Sequence, residues 1–308
     1  MDKHICKICN REIDANNHFW RAHGIKEMDY YQKYIPRYSK QTNELIQFKN
    51  RNFYLSSDFN DKREMITWIK NNSSTGRLYA MEILYKRIID KQLKYFPCQV
   101  ELRSLMMPSL IWYKKTLGTC AEIVNFIKMP DLKLRFDKED EEIEYRNLSP
   151  HDTIIVDTRE QLPLKFKDAL TKVEKLDYGD YALSPNKYKV HIERKNLSDF
   201  VGTFGVGYER FCREVDRAKK DRAYLIILVE STLNDALHFN YLPQTRYCKV
   251  GPDFIFHNVR DILQKYNNIQ FLFCNGRREA AELVKKIFKI KKHPKHYDLQ
   301  YYKDVKKI

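Results

Sequence analysis

The chain has 308 residues, 43% of them hydrophobic, and a formal net charge of +15 at pH 7. That length allows two or three compact units, and the composition can build their cores. The longest apolar runs, over 224–229 and 269–274, fall far short of the roughly 20 residues that span a bilayer, so no membrane span is expected.

The opening "MDKHICKICN" lacks the apolar stretch of a secretory signal, and an intracellular protein is expected. Seven cysteines are an odd count; Cys98, Cys120, Cys212, Cys248 and Cys274 are scattered, and only Cys6 and Cys9 are spaced as a motif. A reducing compartment with one metal site fits this better than a disulfide framework. Positive charge is not confined to a tail, which points to a polyanionic partner, because Lys and Arg near phosphates release counterions.

In chain order, residues 1–38 come first. "CKICNREIDANNHFWRAH" places Cys6, Cys9, His18 and His23 as two cysteines on a knuckle and two histidines about one helical turn apart. Four such ligands can converge on a tetrahedral, structural Zn²⁺, which gives so small a segment its core. The following "HFWRAHGIKEMDYYQKY" resembles a segment of MucR-like zinc-finger proteins, with Gly24 and Tyr30 at matching places. DNA contact by the finger is the expectation.

Residues 39–95 are polar and helix-periodic, with Leu78, Met81, Ile83, Leu84, Ile88 and Leu93 at near-helical intervals and no evident chemistry. Residues 96–136 read as two short helices around "TLGTC", a helix-turn-helix-sized unit. This unit resembles the repeat that accompanies homing endonucleases, through Pro108, Ser109, Tyr113, Gly118 and Thr119, although Leu117 and Cys120 stand where the repeat has Phe and Trp. Arg103, Lys114 and Lys115 would then contact DNA; the plainer alternative is a helical pair with solvated lysines.

An acidic linker is expected over 137–150, a folded block over 151–291 and a basic tail over 292–308. In the block, "DTIIVD", "KVEKLD", "DYALS" and "KYKVHIER" read as closely spaced strands, followed by alternating helices and strands. That order indicates an α/β fold, a central mixed sheet flanked by helices.

Carboxylates stand at the ends of these strands. Gly179 permits a tight reversal before Asp180, so that turn and strand bring Asp180 beside Glu193. Residues two apart on a strand share a face, so Glu193 and Lys195 point together and Arg194 points away. Asp180, Glu193 and Lys195 form a D…ExK set suited to phosphodiester hydrolysis: carboxylates hold Mg²⁺ or Mn²⁺, and the ammonium orients water or stabilises charge at phosphorus.

"IIVDTRE", "YGDYAL" and "ERKNLSD" together resemble the signature of the XPF-type structure-specific endonucleases, a branch of the restriction-endonuclease-like nucleases, over about 152–275. The resemblance implies that Asp157, Glu160, Asp180 and Glu193 are metal ligands, that Lys195 is the catalytic lysine, and that Arg159, Arg194 and Asp199 support them. It also implies a homodimer through the nuclease domain. On the following helix Arg210 stands at the family's arginine, with expected contact to DNA, and Glu214 stands near its glutamine. No paired helix-hairpin-helix module is legible after residue 275, so branched-DNA specificity is not carried over. Asp177 reads as a turn acid, Asp199 as a helix-start residue beside a capping Ser198, and His191 as a packing residue.

The whole reads as a metal-dependent DNA endonuclease targeted by its N-terminal modules, of phage or mobile-element type. A structure-specific repair nuclease and a non-catalytic DNA-binding regulator are the alternatives.

Overall fold

The computed structural model describes residues 5–13, 17–139, 141–186, 188–239 and 250–308; Cys248 lies outside them. The chain divides into two compact units, Met1–Ile83 with Met106–Pro108, and Leu84–Leu105 with Ser109–Ile308. No helix among the described residues is long and apolar enough to cross a membrane.

The second unit is built on six strands: β1 (Thr153–Val156), β2 (Leu170–Val173), β3 (Tyr181–Ser184), β4 (Val190–Lys195), β5 (Tyr224–Val229) and β6 (Ile269–Phe273), in the order β2-β1-β3-β4-β5-β6. β3 is antiparallel to both β1 and β4, whereas β4, β5 and β6 run parallel, so the sheet is mixed as expected. β5 is a continuous apolar run buried along its whole length, the pattern of a strand covered on both faces. One face packs Leu225, Ile227 and Val229 against helices that supply Phe200, Phe204, Val215 and Ile255. These are α9 (Leu197–Phe204), α10 (Tyr208–Lys220) and α12 (Pro252–Lys265), with α11 (Leu233–Leu237) beside them. α13 (Gly276–Lys289) follows β6.

Several boundaries differ from expectation. The second strand stops at Val173 rather than running on through 177, because Leu176 N–H leaves the ladder and donates to the Asp157 carboxylate at 2.6 Å. Helix α9 is capped by Asn196, not Ser198; the Asn196 side chain accepts the Asp199 N–H at 2.8 Å. Residues 96–136 hold three helices instead of two: α6 (Gln99–Arg103), α7 (Leu110–Leu117) and α8 (Cys120–Phe126), the last two joined through Gly118 at φ 96°.

Residues 292–308, expected as a tail, fold onto the sheet. After a 3₁₀ turn at Pro294–His296, α14 (Leu299–Asp304) buries Leu299, Gln300 and Tyr302. Gln300 Oε1 accepts the Phe273 N–H of β6 at 2.8 Å. The acidic segment is pinned as well: Tyr302 Oη donates to the carbonyls of Lys138 (2.9 Å) and Glu141 (2.7 Å). Its acids meet the basic end through Glu141–Lys292 (3.1 Å), Glu144–Lys291 (3.2 Å) and Asp137–His296 (2.7 Å). Exposed pairs of this kind are screened by solvent and add little, so burial of α14 carries the attachment.

The first unit holds α1 (His18–His23), α2 (Glu27–Tyr34), α3 (Arg51–Ser56) and α4 (Lys62–Asn71), and α5 (Ser73–Asp90) supplies residues to both units. Its core joins Cys6 and Phe19 to Tyr30, Tyr31, Ile46 and Tyr54, so the segment expected to end at 38 is packed with residues up to 54. Phe19 stacks on Tyr30 at 4.1 Å, and Tyr30 Oη accepts the Lys7 N–H at 2.8 Å. On α5, Met81, Leu84 and Ile88 are buried, but Leu78, expected on the same apolar stripe, is exposed.

Candidate active site and Cys-His cluster

The ends of β1, β3, β4 and β5 meet at one edge of the sheet. Val156 pairs with Tyr181, and Tyr181 pairs with Ile192. One residue further on, Asp157 N–H donates to the Asp180 carbonyl at 2.9 Å, and Asp180 N–H donates to the Ile192 carbonyl at 2.8 Å. Directly opposed residues in an antiparallel pair share a face. Asp157, Asp180 and Glu193 therefore form a row on one face. Gly179 makes the turn possible: its φ is +64°, and a Cβ there would lie 2.9 Å from the Ile192 carbonyl oxygen.

Within the row each acid has a different setting. Asp157 is buried and holds a turn; burial works to raise its pKa, but Arg159 and the N–H groups of Leu176 and Arg159 bring it below the ordinary range. Asp180 replaces a backbone acceptor where the β3–β4 ladder ends, taking the Arg194 N–H on Oδ2 at 2.7 Å. Burial first, and then the charge of Glu193, push Asp180 up to about 7. Glu193 accepts from Lys195 Nζ at 2.8 Å, and both are largely shielded from solvent. The ammonium lies over the Phe211 ring of α10, 5.8 Å from its centroid. From the same helix Glu214 faces the pair, its pKa raised by burial and by Glu193.

The opposite face carries Arg194, as the two-residue alternation requires. Its guanidinium binds Glu160 through Nε (3.1 Å) and Nη2 (2.9 Å), and reaches Glu230 at 3.2 Å. The structure thus brings Asp157, Asp180, Glu193 and Lys195 together and places Glu160 in an ion pair with Arg194. Burial opposes the charge of Arg194, but Glu160 and Glu230 raise its pKa.

Other expected residues fall as follows. His191 Nδ1 lies 2.9 Å from the Tyr178 carbonyl, and burial lowers its pKa, the setting of a packing residue. Asp177 is exposed in the turn. Lys115 and Arg210 are exposed on their helices. Arg103 pairs with Asp304 at 3.1 Å. Lys114 is only 7% exposed; it donates to the Glu139 carbonyl at 2.6 Å and lies over the Tyr301 ring. Glu230 and Arg277 are site neighbours that the sequence reading missed. Glu230 ends "YLIILVE" and could have been found by the same strand-end rule, whereas Arg277 carries no sequence signal.

In the first unit Cys6 Sγ lies 3.4 Å from His23 Nε2, and Cys9 Sγ lies 3.6 Å from His18 Nε2. All four ligand atoms fall within 4.8 Å of one another, the only group of three or more Cys, His, Asp or Glu to do so among the described residues. Burial would raise the Cys6 thiol, but the backbone N–H groups of Cys9 and Ile8, with His18 and Cys9, bring it down to about 6. Thiolate character at low pKa, two imidazoles and a four-ligand count suit a tetrahedral ion. Gly24 closes α1 at φ 67° and turns the chain toward α2.

Donor chemistry separates the two sites. The strand-end row offers hard oxygen donors; burial first, and then the charge of Glu193, raise Asp180, and a divalent cation would relieve the second of these.

Comparison with curated proteins finds no match to this chain. Among solved structures it is similar to XPF from Aeropyrum pernix in complex with DNA, at 18% identity over 43% of this chain and 61% of that one, TM-score 0.32. It is also similar to XPF from Aeropyrum pernix alone, at 17% identity over 50% of this chain and 68% of that one, TM-score 0.32. The chain thus spans about three fifths of the first of these proteins. The model of the ERCC4 domain matches residues 128–287, more than half of the 308 residues and the span that carries the whole strand-end row. This chain belongs to the ERCC4 domain family.

Proposed function

We propose that this protein is a metal-dependent DNA endonuclease whose chemistry is carried by the strand-end row. The single observation behind the reading is the Glu193–Lys195 pair, held on the same sheet face as Asp180 and Asp157 within an ERCC4 domain. A divalent cation, Mg²⁺ or Mn²⁺, held by Asp180 and Glu193 with Asp157 beside them, would supply positive charge to a phosphate oxygen and acidify water.

The chain's own residues then divide the work. Lys195 presents its ammonium to the anionic phosphorus centre, and Glu193 fixes its direction at 2.8 Å. Asp180 must give up its proton to act as a ligand. Arg194, locked between Glu160 and Glu230, fixes the β4 backbone from the other face. Glu160 therefore acts through Arg194 in this reading and not as a ligand. Arg159 holds Asp157, and Asp199 stays at the start of α9.

The cysteine and histidine cluster is read as a structural Zn²⁺ site, and the first unit as a targeting module. Lys115 and Arg210 offer exposed charge to a phosphate backbone; Arg103 and Lys114 are committed to internal partners. Pairing of two nuclease domains belongs to this reading too. Two substrates compete: a defined duplex sequence, as in a mobile-element enzyme, and branched DNA, as in a repair nuclease. Titrating the protein against supercoiled plasmid, linear duplex, flap and fork with Mg²⁺ or Mn²⁺ separates them. Preference for flaps and forks selects the second, and sequence-restricted duplex cutting selects the first. No cleavage of any nucleic acid would instead favour a non-catalytic DNA-binding regulator.

A further inference from the structure

A cavity of about 400 Å³ lies on the Arg194 face of the sheet, the face opposite the carboxylate row, lined by Pro163, Leu164, Ala281 and the charged Lys165, Lys167, Arg277 and Arg278, with Glu282 as its one acid. Lys285 neutralises Glu282 at 3.0 Å, so four cations face the space without a net opposing charge. Arg277 is partly engaged, donating to the carbonyls of Leu162 (2.7 Å) and Pro163 (3.1 Å) and lying 3.9 Å from Glu230. Lys165, Lys167 and Arg278 are exposed, and their cationic ends have no hydrogen-bond or ion-pair partner among the described residues.

The cavity connects to the site through direct contacts. Arg194 Nη2 donates to the Leu162 carbonyl at 3.2 Å, the same oxygen that Arg277 holds, and the Arg194 N–H is held by Asp180. A ligand seated against Arg277 is therefore linked to the carboxylate row through Arg194, whose side chain faces the cavity and whose backbone N–H is held by Asp180 on the other face, so a strand bound there would pass round the strand ends to reach the row.

We propose that this cavity is a backbone subsite that grips consecutive phosphodiesters of the strand flanking the cut. An apolar floor of Pro163, Leu164 and Ala281 suits sugar carbons, and a rim of unpaired Lys and Arg suits phosphate oxygens. Mutual repulsion among the rim cations is relieved when a polyanion enters. No base edge is read there, so the subsite positions the strand without choosing sequence. The proposal rests on the endonuclease reading above and deepens it.

The test uses the full chain with Lys165→Ala, Lys167→Ala and Arg278→Ala combined, against a control that removes three exposed lysines elsewhere, at Lys86, Lys133 and Lys286. Binding of single-stranded and duplex oligonucleotides is measured in Ca²⁺ over a salt series, and cleavage is measured in Mg²⁺ or Mn²⁺. The expected result is binding weaker by on the order of tenfold, equally for unrelated sequences, with the salt slope reduced by about 2. KM should rise while kcat at saturating substrate stays near the parent value. Arg278→Glu alone should weaken binding more than Arg278→Ala. Equal losses in the cavity and control variants would overturn the subsite and leave the endonuclease reading intact. Failure of the unaltered chain to bind or cut any nucleic acid would overturn both.

Discussion

Asp180 is asked to do two incompatible things. It caps the end of the β3–β4 ladder as a half-buried hydrogen-bond acceptor, and it stands against a second carboxylate. A carboxyl held at about 7 binds a proton in the native state that the unfolded chain, near 3.9, has already released. Its contribution is fully present below pH ~4 and is lost as pH rises through 7. Asp180→Asn is neutral at every pH and escapes that loss. With chelator present, the variant should be more stable than the parent at pH 8, and the gain should vanish by about pH 4. Urea midpoints across that range check the sign. If Asp180 holds the cation, the same variant should also lose cleavage, because Asn has no charge to offer it.

At the scale of elements, the sequence exposed the sheet well wherever a strand was continuously apolar or followed by an acid. β5, α10 and the β3–β4 turn are legible for that reason, as is the opposition of Glu193 and Arg194. Attachments made by single polar side chains are not legible. Gln300 holds the β6 edge with one oxygen, and Lys114 looks like a surface lysine until Glu139 and Tyr301 cover it. Nor does a basic run announce that an acidic run far upstream will pair with it. Gln300→Ala leaves the Phe273 N–H buried without its acceptor and should cost about 1–3 kcal/mol in urea unfolding. Deletion of 292–308 should cost more, because Leu299 and Tyr302 leave the sheet as well.

For the whole molecule, the Cys-His grouping near the start and the α/β sheet of the ERCC4 domain were readable from ligand spacing and strand-end acids. The packing of residues 39–54 with the cluster was not, because Ile46 and Tyr54 join that core from a segment without periodic pattern. If a zinc ion organises the first unit, one equivalent should bind per chain and Cys9→Ser should abolish it. Chelation should then speed proteolysis within residues 5–56 and leave the 128–287 region resistant. In the proposed function, Asp180, Glu193 and Lys195 together perform phosphodiester hydrolysis with a divalent cation. Cleavage of plasmid and branched DNA in Mg²⁺ or Mn²⁺ by the parent, Asp180→Asn and Lys195→Ala, with chelator as blank, tests it most directly. Metal-dependent cutting by the parent and a loss on the order of a hundredfold or more in each variant are expected. Metal-dependent cutting that survives both substitutions would contradict it.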